Sequence, residues 1–395
     1  MPGFEIFSDE ERREVNDVLE TGVLFRYGFD AQRKGRWKAK TFEKEFADRV
    51  GVPYAHLCSS GTAALVIALA ACGIGAGDEV IIPPFTFVAS FESVMAAGAI
   101  PVFADIDETL CLDPKSVEKA VTERTKAVVP VHMCGSMAQI DALKDLCDQK
   151  GLILVEDACQ SVGGAFKGQA LGTFGKAGCY SFDAVKTITC GEGGGVVTPF
   201  KEVYEKIDQF ADHGHDHIGN DRGLEGHPIT GLNFRISELG AAVGLAQLRK
   251  LDKILEIQRS NKSRIKEAMT GLNGVTFRTL PDPDGDTATF LTFFLPDEDQ
   301  ARECAGQLAK AGVGGCPYWF DNNWHYIRAW DHLKQRSFPS RQTLELVDTA
   351  PDYANMDLEQ SHKVMGRTIS MQIMLGWTDQ DIDDRIAKIR QVFGT

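Results

Sequence analysis

From about Tyr54 to Val197, short apolar runs recur as EVIIP, IPVFADI, KAVVPVHM and LILVEDA, separated by stretches such as 62–72 and 137–150 that read as helices. Uninterrupted apolar strands alternating with helices predict a parallel sheet covered on both faces. Such sheets bind ligands beyond the carboxyl ends of their strands, so Asp105, His132 and Asp157, which sit at those ends, become site candidates. Upstream, Ser8 followed by Glu11 forms a capping-box pattern ahead of Val15, Val18 and Leu19, which predicts a first surface helix. Leucines at 239, 245, 248, 251 and 255 predict one long helix over 236–269 joining two domains. Beyond Gly271 the pattern changes. GVTFRTL and TATFLTFFL read as strands around the turn cluster PDPDGD, and 297–310 reads as a helix. The expected architecture is α/β: a large domain over 1–255, with a mainly parallel sheet and an N-terminal helical arm, and a smaller α+β domain over 256–395.

Composition narrows the function. Asp plus Glu outnumber Lys plus Arg by 56 to 42, a net charge of −14, which argues against binding nucleic acid or an anionic membrane. The ten cysteines form no CxxC pair and read as free thiols in a reducing compartment. The start MPGFEIFSDEE lacks the basic and then apolar regions of a signal peptide, and the most apolar run, 63–77, is too short to span a bilayer. A cytoplasmic protein is expected. His213, His215 and His217 alternate in HGHDH and could project together as metal ligands, but no carboxylate set accompanies them. A hydrogen-bonding loop near the mouth of the site is expected there, and no metal.

The chemistry gathers around two segments. LILVEDACQ ends a strand on Glu156, Asp157 and Gln160, and CYSFDAVKTITCGEGGGVV then carries Lys186 in a Ser- and Gly-rich turn. Pyridoxal phosphate asks for this set: a lysine amine for the Schiff base, a carboxylate to keep the pyridine nitrogen protonated, and an anion site for the phosphate. SSGTAAL supplies a candidate anion site, since Ser60, Gly61 and Thr62 open a helix whose first N–H groups are free. Taken singly, each residue has a plainer reading: Lys186 as a solvated lysine, Asp157 as a helix cap, Ser60 as an N-cap. Phe87 in PPFTFVAS could stack on a flat ring or fill a core. Asn233 and Arg235 precede a helix rich in alanine and glycine, a face suited to close packing against another subunit.

In their order along the chain, SSGTAAL, PPFTFVAS, EDACQ, SFDAVKTITCGEGGG and GLNFRISELGAAVGLAQL resemble the signatures of the DegT/DnrJ/EryC1/StrS sugar aminotransferases. The resemblance implies the aspartate-aminotransferase fold (fold type I) and a homodimer with active sites shared between subunits. It implies pyridoxal 5′-phosphate bonded to Lys186, passing through pyridoxamine 5′-phosphate in the half-reaction. It also implies Asp157 at the pyridine nitrogen, Gln160 near the phenolic oxygen and Phe87 on the ring. Gly61, Thr62 and Ser181 resemble phosphate ligands, and Asn233 the ligand donated by the neighbouring subunit. Relatives with histidine in place of the lysine are dehydratases, so Lys186 favours transamination.

Less shared segments, HGHDHIGNDRGLEGHPIT and PYWFDNNWHYIRAW, resemble family members that aminate 8-oxo-3-deoxy-manno-octulosonate with glutamate, for lipopolysaccharide. Glutamate and such an acidic keto sugar both carry carboxylates, so guanidinium partners are expected, with Arg26 and Arg235 as candidates and Arg222 third. Trp319, Trp324 and His325 are candidates for the sugar pocket or for aromatic packing. The alternative within the family is a nucleotide-linked 4-keto sugar. A dinucleotide oxidoreductase fits poorly, because GEGGGVV precedes an apolar strand-like segment instead of joining a strand to a helix. A non-catalytic binding protein on the same fold fits poorly with an intact lysine, carboxylate and phosphate set.

Overall fold

The computed structural model describes residues 3–219, 221–347 and 350–394. The capping box forms: Ser8 and Glu11 bond reciprocally at the start of the Asp9–Thr21 helix. The apolar runs become strands β1 (Tyr54–Cys58), β2 (Glu79–Ile82), β3 (Ile100–Phe103), β4 (Thr125–Val128), β5 (Ile153–Asp157), β6 (Ala177–Ser181) and β7 (Gly194–Thr198). They form one sheet in the order β1-β7-β6-β5-β4-β2-β3. β7 alone runs against its neighbours; the pairs β6–β5, β5–β4, β4–β2 and β2–β3 are parallel. This is the predicted parallel sheet. Its strands are almost wholly buried because helices cover both faces.

The glycine run at 191–195 leads into β7 and not into a helix. A Cβ on Gly194 would lie 2.2 Å from the Ser60 carbonyl oxygen, so glycine there lets β7 approach the turn after β1. That close approach accounts for the run without a dinucleotide.

Two expectations are corrected. The helix over 236–269 is two helices, Glu238–Leu248 and Leu251–Met269. At the break Lys250 donates to Ser8 Oγ at 2.8 Å and to Glu11 at 2.7 Å, tying the junction to the N-terminal helix. The alanine- and glycine-rich face of Glu238–Leu248 is also filled within its own chain. It packs on the Asp9–Thr21 and Lys38–Val50 helices, with Gly244 against the Phe42 ring.

A three-stranded antiparallel sheet follows: β8 (Thr276–Phe277), β9 (Phe290–Phe294) and β10 (Thr368–Gln372), in that order. β9 faces two ways, as strand periodicity demands. Leu291 and Phe293 join a core with the Leu251–Met269, Glu298–Lys310 and Asp379–Val392 helices, whereas Phe290 and Phe294 join the core of the large sheet. The apolar side chains of the 319–365 segment, Trp319, Tyr326, Trp330 and Tyr353 among them, also pack into the large sheet's core. Among the described residues, no helix is long and apolar enough to cross a membrane.

Candidate active site

A cavity of about 360 Å³ opens beyond the carboxyl ends of β1, β5 and β6. Its wall brings together Ser60, Gly61, Thr62, Phe87, Asp157, Gln160, Ser181 and Lys186, which are spread over more than a hundred residues of sequence. The topology does this: each segment leaves the same edge of a parallel sheet.

The anion end is built at the start of the Gly61–Ala71 helix. Ser60 Oγ accepts the Ala63 N–H at 3.0 Å, which caps the helix. The N–H groups of Gly61 and Thr62 find no acceptor among the described residues, leaving two donors at the positive end of the helix dipole. A Cβ on Gly61 would lie 2.7 Å from the Ser181 Cβ, so glycine brings the helix start against the end of β6. Donors, hydroxyl and dipole converge there as a phosphate requires.

The carboxylate end is equally prepared. Asp157 accepts Ser90 Oγ–H at 2.9 Å on one oxygen and the Cys159 N–H at 3.1 Å on the other, and Ser90 Oγ lies 2.6 Å from Thr86 Oγ1. Sequence reading missed Ser90 and Thr86. Their signal was the i, i+4 spacing of hydroxyls in PPFTFVAS, with Phe87 between them. Gln160 Oε1 accepts the Cys134 N–H at 3.1 Å, which leaves its amide NH₂ as the free end. Phe87 is half exposed and stacks on Trp324 with centroids 5.8 Å apart. The Lys186 backbone is held by an N–H bond to the Asp183 carbonyl at 3.0 Å. Its amine forms no hydrogen bond or ion pair among the described residues. A free amine, an anchored carboxylate, a free amide donor, a flat aromatic face and an anion cradle in one cavity fit pyridoxal phosphate.

Other candidates lie elsewhere. Glu156, next to Asp157, accepts the N–H groups of Gly172, Phe174 and Gly175 and faces His132 Nε2 at 3.0 Å. His132 Nδ1 accepts the Ala138 N–H, so Nε2 carries the proton, and the pair braces the loop into β6. Asp105 accepts the Ser361 N–H at 2.8 Å. His132 and Asp105 therefore hold the fold and stand outside the cavity wall.

Arg26 is corrected in the same way. It is buried, donating to the Leu57 carbonyl and to Glu43 at 2.6 Å each, and Glu43 holds its proton more tightly than usual. Arg235 pairs with Asp212, and Arg222 donates to the same carboxylate at 2.8 Å. His217 sits between Asp208 at 2.6 Å and Asp212 at 2.9 Å, while His215 faces Glu225 at 2.8 Å. The contacts to Asp208 and Asp212 bind the 213–230 loop to the body of the chain, while the His215–Glu225 pair lies within the loop. Asn233 accepts the Arg235 N–H, lies exposed and is absent from this chain's cavity wall. Trp319 and His325 line the cavity, and Trp324 reaches it only through Phe87. Phe290 and Gln372, register partners in the small sheet, also line it. They were invisible in the sequence because nothing local marks a small-sheet residue as facing a cavity.

The sequence matches the DegT/DnrJ/EryC1/StrS aminotransferase family over residues 6–390. It is 34% identical over 395 residues to the spore coat polysaccharide biosynthesis protein SpsC of Bacillus subtilis (strain 168), covering 98% of this chain and 95% of that one. It is 38% identical over 263 residues to GDP-perosamine synthase of Vibrio cholerae, 66% of this chain and 68% of that protein. The fold superposes on the X-ray structure of an aminotransferase from Psychrobacter cryohalolentis with a TM-score of 0.84 and 26% identity, covering 98% and 97% of the two chains. The chain thus belongs to the DegT/DnrJ/EryC1/StrS aminotransferase family and is a pyridoxal-phosphate-dependent sugar aminotransferase.

Proposed function

We propose that the enzyme moves the amino group of glutamate onto a keto sugar, with Lys186 as the residue that holds pyridoxal phosphate and moves the proton. The observation that carries this reading is the meeting of Lys186, Asp157 and the free helix start at Gly61 in one cavity. When bound, pyridoxal phosphate supplies the electron sink that makes the hydrogen beside the reacting nitrogen acidic. With the cofactor in place, Lys186 Nζ would be the base that takes that proton from the substrate carbon and carries it within the cavity. Asp157, anchored by Ser90 and the Cys159 N–H, would face the ring nitrogen. The N–H groups of Gly61 and Thr62 and the Ser181 hydroxyl would hold the phosphate, with Ser60 capping the helix beneath them. The Gln160 amide would donate toward the phenolic oxygen, and Phe87 would cover one ring face. Asn233 serves the phosphate of a second copy, in a homodimer with shared sites. Arg222 and Arg235 stay engaged with Asp212 of their own chain.

For the acceptor, we favour 8-oxo-3-deoxy-manno-octulosonate, giving the 8-amino-3,8-dideoxy sugar of lipopolysaccharide. Its support is the resemblance at 213–230 and 317–330. A nucleotide-linked 4-keto sugar is the second reading, supported by the likeness to GDP-perosamine synthase. Purified enzyme given glutamate with each acceptor separates the two, and turnover of the nucleotide sugar alone defeats the octulosonate assignment. Borohydride trapping followed by peptide mapping tests the cofactor site. The label is expected on Lys186, and a label on any other residue overturns the assignment.

A further inference from the structure

His325 stands in the cavity wall beside Phe87 and Trp319, with ring centroids 5.4 Å and 4.5 Å away. Its backbone is stitched to the segment that carries Phe87: the Thr86 N–H donates to the His325 carbonyl and the Val88 N–H to the Trp324 carbonyl, both at 2.9 Å. The ring is fixed as well. Asn322 Oδ1 accepts the Trp324 N–H at 2.9 Å, which identifies that atom as the oxygen of the amide. His325 Nδ1, 3.0 Å from the same oxygen, must therefore carry the proton. Nε2 is left as a bare acceptor. It meets no protein donor among the described residues and is open to the cavity.

The charge state agrees with this geometry. Burial, the larger cause, pushes the His325 imidazole down to about 4, so it is neutral near pH 7. The other charged groups of the wall are Asp157, Asp183 and Glu192. A neutral lone pair repels a carboxylate and welcomes an O–H. Trp319 brings its ring to the same wall, while its indole N–H is buried away from it. A hydroxyl, which can donate to this lone pair without bringing a charge, is the substrate group that suits it.

We propose that His325 is a specificity-determining residue that reads one hydroxyl of the keto-sugar acceptor through Nε2, with Asn322 as the positioning residue that fixes its tautomer. The proposal rests on the keto-sugar reading above. An acceptor built to meet an O–H loses its water and gains nothing when the analogue lacks that group, which is why such sites discriminate strongly.

The two half-reactions of the cofactor-loaded enzyme are measured separately, with glutamate and with a panel of keto sugars each lacking a single hydroxyl. One deoxy analogue is expected to react about 100-fold more slowly than its parent in the wild type. His325→Phe is expected to abolish that preference, and to slow the sugar half-reaction at least about tenfold more than the glutamate half-reaction. Should this variant fail to fold, His325→Gln carries the same comparison. Long-range ¹H–¹⁵N NMR of the protein without substrate is expected to show Nε2 unprotonated between about pH 5 and 8, with mixed tautomers in Asn322→Ala. A variant that keeps the preference, a wild type that shows none, or a protonated Nε2 at neutral pH overturns the proposal. If glutamate reacts and no keto sugar does, the sugar reading itself falls and takes the proposal with it. If sugars react without hydroxyl discrimination, the proposal falls alone.

Discussion

Replacing His217 with glutamine tests the electrostatic frame of the 213–230 loop. The imidazole lies between Asp208 and Asp212, stacks on Tyr27 with centroids 4.3 Å apart, and shares Asp212 with Arg222 and Arg235. The two carboxylates outweigh desolvation, which is the largest single influence, and raise the ring from its ordinary 6.5 to about 9. A group whose pKa rises on folding adds stability that is fully present below its unfolded pKa and is lost as pH climbs through the folded one. The window therefore runs from about pH 6.5 to about pH 9. A shift of about 2.5 units is worth about 3 kcal/mol, and about half of that remains once solvent at the ring edge is allowed for. His217→Gln keeps a hydrogen-bonding side chain and removes the charge. At pH 6 the variant should be less stable than the wild type by about 1.5 to 3 kcal/mol, and by pH 9.5 the gap should nearly close. Parallel urea unfolding at pH 6, 7.5 and 9.5, followed by circular dichroism, reads the difference. A gap that stays constant or widens with pH refutes the reasoning.

Other perturbations separate the site from its support. Ser90→Ala removes one donor to the Asp157 carboxylate, and pyridoxal phosphate, titrated by absorbance, should bind about tenfold more weakly. Gly61→Ala drives a methyl group to 2.7 Å from the Ser181 Cβ. It should cost about 1 to 3 kcal/mol in unfolding experiments and weaken cofactor binding in the same titration. Arg26→Met leaves Glu43 buried without its cation, so calorimetry should show a loss of about 3 to 5 kcal/mol while KM for glutamate stays within about twofold. A normal melting point combined with a raised KM would return Arg26 to the substrate.

The residues that meet in the cavity were legible in the chain because each sits in a local motif with its own chemistry. Lys186 lies in a glycine-rich turn, Asp157 ends an apolar run, and Ser60, Gly61 and Thr62 open a helix. Their order along the sequence carried the family resemblance. The arginines were not legible. Arg26 and Arg235 carry the chemistry a carboxylate substrate needs, yet each spends it on a carboxylate of its own chain. Arg26's partner Glu43 is seventeen positions away, and Arg235's partner Asp212 is twenty-three. The break at Arg249–Lys250 was hidden for a similar reason: the leucine spacing runs through it, and only the reach of Lys250 to Ser8 and Glu11 reveals a junction.

Local periodicity, capping patterns and glycine-rich turns are properties of neighbouring residues, so the sequence alone determined the parallel sheet, the first helix and the set of groups able to hold pyridoxal phosphate. Which partner each charged side chain meets depends on contacts between distant segments. The tertiary structure therefore decided that Ser90 steadies Asp157, that Phe290 and Gln372 close the cavity from the small sheet, and that Asn322 fixes the proton of His325. Short-range pattern sets the elements, and long-range burial sets which polar groups remain free to act.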